Sequence, residues 1–404
     1  MNKIAIIGAG PAGLMAAVRA SEKNQVTIFE KNEKIGKKLF ITGKGRCNIT
    51  NNCSLDELLN NVCKNNKFLY SAFSNFDNFD TMKFFEDRGL NLKVERGNRV
   101  FPKSDKSSDV IKIFEKEIKS KNIDLRLNHQ VKKISKNNDI FLVDQEEFDK
   151  VIIATGGLTY KSTGSTGDGY EFAKNFNHKI NKIYPSLVGI KLKNVEESLQ
   201  GLSLKNVRLT VKRNKKIIYT EIGEMMFTHF GITGPLVLSA SAFISGKDKI
   251  KMYIDLKPGL DYEKLDLRIL RDFNENTGKM AKNSLDKLLP KSLIPIVADR
   301  ANLKDIITSE LKKEIRQKLV EEIKNFKIEY DDLYDLDTGI VTRGGVDLKS
   351  INPKSMESNI VDGLYFCGEV LDIDALTGGF NLQIAWSTGF VAGGLSWLKN
   401  FFKL

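Results

Sequence analysis

The chain has 404 residues, 41% hydrophobic and 28% charged, and carries a formal net charge of +12. That length exceeds one ordinary core, so more than one domain is expected, and no apolar run is long enough to span a bilayer. The basic residues are scattered, as in Lys132-Lys133, Lys212-Arg213 and Lys312-Lys313, without a dense tract interleaved with aromatics. Solvated surface charge is therefore the expectation, and nucleic acid is not an expected partner.

In chain order, Ile4-Ala5-Ile6-Ile7 predicts a buried strand, and Gly8-Ala9-Gly10-Pro11-Ala12-Gly13 follows it directly. An Ala-rich helix (Leu14, Ala16, Ala17, Val18) and a second apolar run, Val26 to Phe29, lead to Glu30. Each piece has a task in holding a dinucleotide. Gly8 permits a tight turn, Gly10 lets the backbone approach a pyrophosphate, and Gly13 lets helix and strand pack closely. The helix that opens at Pro11 offers the free N–H groups of its first turn, from Ala12 onwards, and a positive dipole end to phosphate. Glu30 can accept hydrogen bonds from ribose hydroxyls, and its charge repels an added phosphate there.

Residues 31–53 are rich in Gly and Lys and read as a loop, and 54–120 as largely helical. Ser107-Ser108 supply an N-cap for a helix whose apolar face is Val110, Ile111, Phe114 and Ile118. Leu125-Leu127, Val131-Ile134 and Ile140-Val143 read as a small antiparallel meander before the buried strand Val151-Ala154. Strands are expected again at Leu187-Ile190, Val207-Val211, Ile217-Tyr219 and Lys251-Ile254, then helices over 262–325. Gly363-Leu364-Tyr365-Phe366-Cys367-Gly368-Glu369 resumes the strand-then-turn character of the start, and a glycine-rich helix over about 380–396 follows.

Three separated segments fit one ligand. To the first fingerprint are added Ala154-Thr155-Gly156-Gly157, a strand ending in a glycine turn, and the 363–369 strand, which presents the carboxylate of Glu369. The amides of Gly378-Gly379-Phe380-Asn381-Leu382-Gln383 can face negative charge on a reduced flavin. An NAD-only domain has no use for this return; FAD does. In flavoproteins of the glutathione reductase type the residue matching Glu369 binds a ribityl hydroxyl and is more usually Asp. The cofactor-binding set is then Gly8, Gly10, Pro11, Ala12, Gly13, Glu30, Lys31, Lys38, Arg46, Cys47, Asn48, Val131, Thr155, Gly156, Gly368, Glu369, Asn381, Leu382 and Gln383. Lys38 and Arg46 are the candidates for pyrophosphate charge.

Over its full length the chain resembles the BaiN/YhiN-like bacterial flavoproteins, also described as NAD(P)/FAD-dependent or aminoacetone-oxidase-like oxidoreductases. The likeness rests on Gly36-Lys37-Lys38, Thr42-Gly43-Lys44-Gly45-Arg46-Cys47-Asn48-Ile49-Thr50-Asn51 and Thr163 to Tyr170. It continues through Gly223 to Pro235, Val341-Thr342-Arg343-Gly344-Gly345-Val346 and Gly368 to Gln383. The resemblance implies an α/β fold: a Rossmann-like FAD-binding domain of the glutathione reductase type, interrupted by an inserted small β-barrel plus helical subdomain. The expected boundaries are 1–187 for the first part of the FAD domain, 188–340 for the insertion and 341–404 for the second part. Within the insertion, the barrel spans about 188–258 and the helices about 259–325, with a return strand to 340. Ene reduction of steroid-like substrates is implied for some members. A more distant likeness, through Ala154-Gly157 and Thr166-Gly169, is to fumarate reductase and succinate dehydrogenase flavoproteins. Asp168 and Glu171 form a plausible capping pair there. No His occurs in 36–51, so the FAD is expected to be non-covalent.

An enzyme is expected: an FAD-dependent oxidoreductase moving hydride between flavin N5 and a small or medium organic substrate, an enone or a ketone. No second glycine fingerprint appears, so NAD(P)H, if it is the donor, binds transiently. The catalytic candidates are His229, in the Gly- and Thr-rich stretch of the insertion, and Arg343; His129 and His178 read as surface or structural. Cys47, between Arg46 and Asn48, lies in a basic loop that would lower a thiol pKa. The alternatives are an RNA-modifying flavoprotein and a non-catalytic flavin sensor. The four cysteines (Cys47, Cys53, Cys63, Cys367) show neither metal-ligand spacing nor a disulfide framework. An apolar strand beginning near residue 3 leaves no room for a leader, so a reducing cytoplasm is expected, with no metal and no obligate protein partner.

Overall fold

The computed structural model describes residues 1–245, 249–303 and 305–395, and its chain forms two units. The first unit joins Met1–Ser186 to Asp335 and the residues after it, and the second is Leu187–Tyr334.

The first unit is built on five parallel strands. In chain order they are β1 (Lys3–Ile7), β2 (Gln25–Phe29), β3 (Asp124–Arg126), β4 (Lys150–Ile153) and, after the second unit, β7 (Leu364–Phe366). The spatial order is β7-β4-β1-β2-β3. Between β4 and β7 in the chain come β5 (Ile180–Ser186) and β6 (Val341–Val346), which pair antiparallel on their own. Ile4–Ile7, Val151–Ile153 and Leu364–Phe366 are buried on both faces, as parallel strands covered by helices must be. That is why these runs are continuously apolar rather than alternating.

Helix α1 (Pro11–Ala20) follows β1, α2 is Ser107–Ser120, and α3 (Phe380–Gly393) follows β7. The packing of α1 on α3 is set by small residues. A Cβ on Gly389 would lie 2.3 Å from the Ala12 carbonyl oxygen, and one on Gly393 would lie 2.5 Å from that of Ala16. Trp386 is buried within the unit, and its indole N–H donates to the Ile49 carbonyl at 3.0 Å. Of the helix expected over 380–396, position 396 lies outside the described residues.

Several local expectations are corrected. Residues 124–126 do not join a meander; they extend the parallel sheet beside β2, because its outer edge offers a free row of N–H and C=O groups. The meander consists of Ile134–Asn137, Ile140–Val143 and Glu146–Phe148. Val131 lies outside any strand. Ser107 is the first residue of α2 rather than its cap, and its hydroxyl donates to the Phe40 carbonyl. The 31–53 segment is not one loop: it holds a short helix, Lys37–Ile41, and a strand, Thr50–Asn51.

The second unit contains a seven-stranded antiparallel sheet. Its longest members are the hairpin strands Ser203–Arg213 and Lys216–Phe227. Helices Tyr262–Asn274, Ile294–Arg300 and Lys313–Lys324 share its apolar core through Leu265, Ile269, Val297, Leu319 and Ile323. No helix among the described residues is long and apolar enough to cross a membrane.

Candidate functional site

The turn after β1 shows which glycines serve the fold and which serve a ligand. Gly8 has φ +105, and a Cβ there would lie 2.6 Å from the Ala154 carbonyl oxygen. On Gly13 it would lie 2.0 Å from that of Gly8. Both positions admit only glycine on protein grounds. At Gly10, the N-cap of α1, a Cβ would meet no protein atom within 4 Å. The space in front of Gly10 is therefore open, and the α1 amino end beyond it has Pro11 in its first turn and no side-chain cap. This is a cradle for an anion.

Glu30 is buried at the end of β2. Its Oε2 accepts from the Ala9 N–H at 2.8 Å, and its Oε1 accepts from the backbone and side-chain amides of Asn32 at 2.9 and 2.6 Å. Those bonds fix the carboxylate while Oε2 retains a lone pair for a hydroxyl donor. The N–H groups of Asn128 and His129 donate to the carbonyls of Asn32 and Glu30, carrying the chain past this end of β2 towards buried Val131. Lys31 pairs with Asp168 at 2.9 Å and also donates to Thr166. Burial pushes the Asp168 carboxyl up, but the bonds from Lys31 and Thr166 prevail and hold it below the usual carboxylate range. Asp168 is therefore an ion-pair partner, not the expected cap, and Gly167 occupies the N-cap of the Asp168–Asn175 helix.

Across the sheet, Glu369 follows β7. Its two carboxylate oxygens accept from Lys38 Nζ at 3.0 and 2.9 Å. Oε1 accepts also from the Thr342 N–H at 2.8 Å and the Thr159 hydroxyl at 3.2 Å. Neither threonine stood out in the sequence; the clue was the family string around Thr342, read there for its neighbour Arg343. Close approach also governs Gly368, whose Cβ would lie 2.7 Å from that of Ala12. Gly156, at φ +73, follows Thr155. The Thr155 hydroxyl and the side-chain oxygen of Asn48 are buried without a hydrogen-bond partner among the described residues.

Other members of the expected set are committed within the protein. Arg46 donates to Asp105 and Glu95 and lies 4.2 Å from the Phe101 ring centre. The Gln383 amide is used by Thr50 and Ser387. Asn381 bonds both backbone groups of Ala375, pinning that loop to the start of α3, and Leu382 beside it is half-buried. The expectation of an activated Cys47 is overturned. Burial pushes its thiol up to about 12, against a smaller opposing effect from its bond with Thr42.

Of the catalytic candidates, Arg343 is buried in the first unit, with its guanidinium 5.4 Å from the Tyr184 ring centre. His229 is exposed in the second unit, where Nδ1 shares a hydrogen bond with Gln200 Oε1 at 2.6 Å. His178 is buried between the hydroxyls of Ser350 and Ser358, and burial lowers its pKa.

The set suits a dinucleotide: an open glycine at a helix start, two fixed carboxylates with acceptor capacity to spare, and a lysine. Both ends of the ligand path are drawn from the same parallel sheet, as in a Rossmann-like dinucleotide-binding domain. Residues 2–395 match the model of the HI0933-like protein Rossmann domain. The chain is 31% identical to the 3-dehydro-bile acid delta(4,6)-reductase of Clostridium scindens, over 97% of this chain and 98% of that one. It is 30% identical to the ribosomal RNA dihydrouridine synthase of Haemophilus influenzae, over 95% and 96% of the two chains. Among solved structures, an open flavocytochrome c3 fumarate reductase superposes with a TM-score of 0.45 and 16% identity, covering 97% of this chain and 77% of the other. The chain belongs to the HI0933-like Rossmann family.

Proposed function

We propose that the protein binds FAD non-covalently in this cradle and reduces a carbon–carbon double bond conjugated to a carbonyl, in a small or medium organic molecule. One observation carries the reading: over at least 95% of its length the chain matches a bile acid reductase and a ribosomal RNA dihydrouridine synthase, and the chemistry in both names involves such a bond. A 3-dehydro bile acid with the additional double bonds is a conjugated dienone. The uridine double bond saturated in dihydrouridine is likewise conjugated to a ring carbonyl.

When bound and reduced, the flavin would supply the hydride chemistry, two electrons with one hydrogen, that saturating such a bond needs. The protein's part is to hold and orient. Gly10 and the α1 amino end take the pyrophosphate, Glu30 the adenosine ribose, and Glu369 with Lys38 the ribityl chain and nearby phosphate charge. Thr155 and Asn48 contribute their unpartnered oxygens. The electrons come from a two-electron donor, with a reduced nicotinamide nucleotide as the class that fits, bound transiently. Arg343, buried in the first unit, is the candidate there for substrate contact, and we take the 187–334 unit as the inserted subdomain, its antiparallel sheet as the small barrel.

The test is to reduce the FAD-loaded protein anaerobically with dithionite and mix it with a steroid dienone or with uridine-containing RNA. Return of the oxidised flavin bands together with a saturated steroid supports the reading. Return with RNA alone moves the substrate class to RNA. Return with neither, in protein that keeps its FAD, overturns it.

A further inference from the structure

The segment from Gly368 to Gly379 links the Glu369 carboxylate to the amino end of α3, and Asp374 lies midway along it. This loop is tied down at both sides. The Asp374 carbonyl accepts from the Cys63 N–H, the Leu376 N–H donates to Asn61, and Ala375 is held by Asn381. Asp374 itself is 1% exposed. Its Oδ2 accepts from the Ser186 hydroxyl at 2.6 Å, while its Oδ1 is buried with no hydrogen-bond partner among the described residues. A buried carboxylate oxygen left alone is costly, so this atom either carries a proton or awaits a partner from outside the protein.

The groups around it come from every neighbouring element. Ser186 ends β5 and Arg343 sits on β6. Cys63 and Lys64 follow the Leu55–Asn60 helix, and Asp372 lies on the same loop. The Asp372 carboxylate is engaged by Lys64 and Asn181 at 2.8 and 2.9 Å. The Cys63 thiol is held protonated, chiefly by burial. Asp374 is therefore the carboxyl in this group that is not paired to a cation by a hydrogen bond.

We propose that Asp374, steadied by Ser186 and flanked by Arg343, holds and delivers the proton that the reduction consumes. This rests on the functional reading above. Saturating a conjugated double bond adds two electrons and two hydrogens. The hydride brings both electrons to the far carbon, so the second hydrogen must arrive as a bare proton. The Oδ1–H bond breaks, a C–H bond forms at the carbon next to the carbonyl, and the carboxylate is reprotonated from solvent. The two-electron donor is the nicotinamide-class reductant already named. Burial raises the Asp374 carboxyl to about 6, against the smaller opposing pull of Ser186 and Arg343, which keeps a proton available near neutrality.

The test compares FAD-loaded wild type with Asp374→Asn and Ser186→Ala. After reduction by dithionite, Asp374→Asn should be reoxidised by ferricyanide, which takes electrons only, at the wild-type rate. Reoxidation by the steroid dienone should slow roughly 10²–10⁴-fold. The fall of the dienone rate with rising pH should vanish in Asp374→Asn and shift in Ser186→Ala. Independently, infrared spectra of the unloaded protein should show a protonated-carboxyl band that titrates near the value above and is missing in Asp374→Asn. Equal dienone rates in wild type and Asp374→Asn, or no such band in wild type, would overturn the proposal. A wild type that reduces neither dienone nor RNA contradicts the functional reading, and the infrared band then decides for Asp374 by itself.

Discussion

At the scale of single residues, the glycines of one turn divide by what their missing side chains make room for. Gly13 faces the Gly8 carbonyl, and Gly10 faces open space. Gly13→Ala is expected to destabilise the fold by about 1–3 kcal/mol through overpacking. Gly10→Ala should unfold at the wild-type temperature but lose most of its affinity for FAD. Thermal unfolding without cofactor and a flavin fluorescence titration separate the two; a Gly10→Ala protein with undiminished FAD affinity would remove the pyrophosphate from this cradle. The cysteines give a second expectation. Burial raises the thiol of Cys47 to about 12 and pushes that of Cys367 up as well. Neither should react with a thiol reagent at pH 8 until the protein unfolds, and rapid labelling of Cys47 in the native state would contradict its burial. The sequence places Cys47 beside Arg46 and Asn48 in a basic loop, a setting that lowers a thiol pKa. In the fold Arg46 turns to Glu95 and Asp105, while the thiol turns inward. Chain adjacency does not report side-chain direction, so that error was not avoidable from spacing alone.

At the scale of elements, the parallel strands were legible because a strand buried on both faces must be continuously apolar, and Ile4–Ile7, Val151–Ile153 and Leu364–Phe366 are. The Asp124–Arg126 strand was misread since three residues on an exposed edge carry too little pattern to tell parallel pairing with β2 from a local meander. The Glu369 site was half legible: the carboxylate showed in the motif, whereas its hold by Lys38, Thr159 and Thr342 joins positions far apart in the chain. The α1–α3 contact yields a sharp expectation. Gly389→Val places branched carbon against the Ala12 carbonyl and should lower the denaturation midpoint strongly, with FAD binding falling in parallel, because Ala12 belongs to the cradle. A Gly389→Val protein of wild-type stability would show that the helices are not packed this closely.

For the molecule as a whole, pH tests the buried polar links of the first unit. His178 joins the end of the Asp168–Asn175 helix to Ser350 and Ser358, and burial holds its pKa below that of a free imidazole. The unfolded chain thus takes up this proton first as pH falls. The contribution of neutral His178 is complete above the unfolded value, about 6.5, and is lost as pH falls through the lower folded value. Wild type should therefore lose more unfolding temperature than His178→Gln between pH 7.5 and pH 5, and equal losses would show that His178 is not neutral and buried. The most direct measurement of the central claim is the visible spectrum and released-cofactor content of the purified protein after incubation with FAD. Oxidised-flavin bands and one non-covalent FAD per chain, abolished by Gly10→Val without loss of fold, are the predicted result. A colourless wild-type protein that takes up no FAD would contradict it.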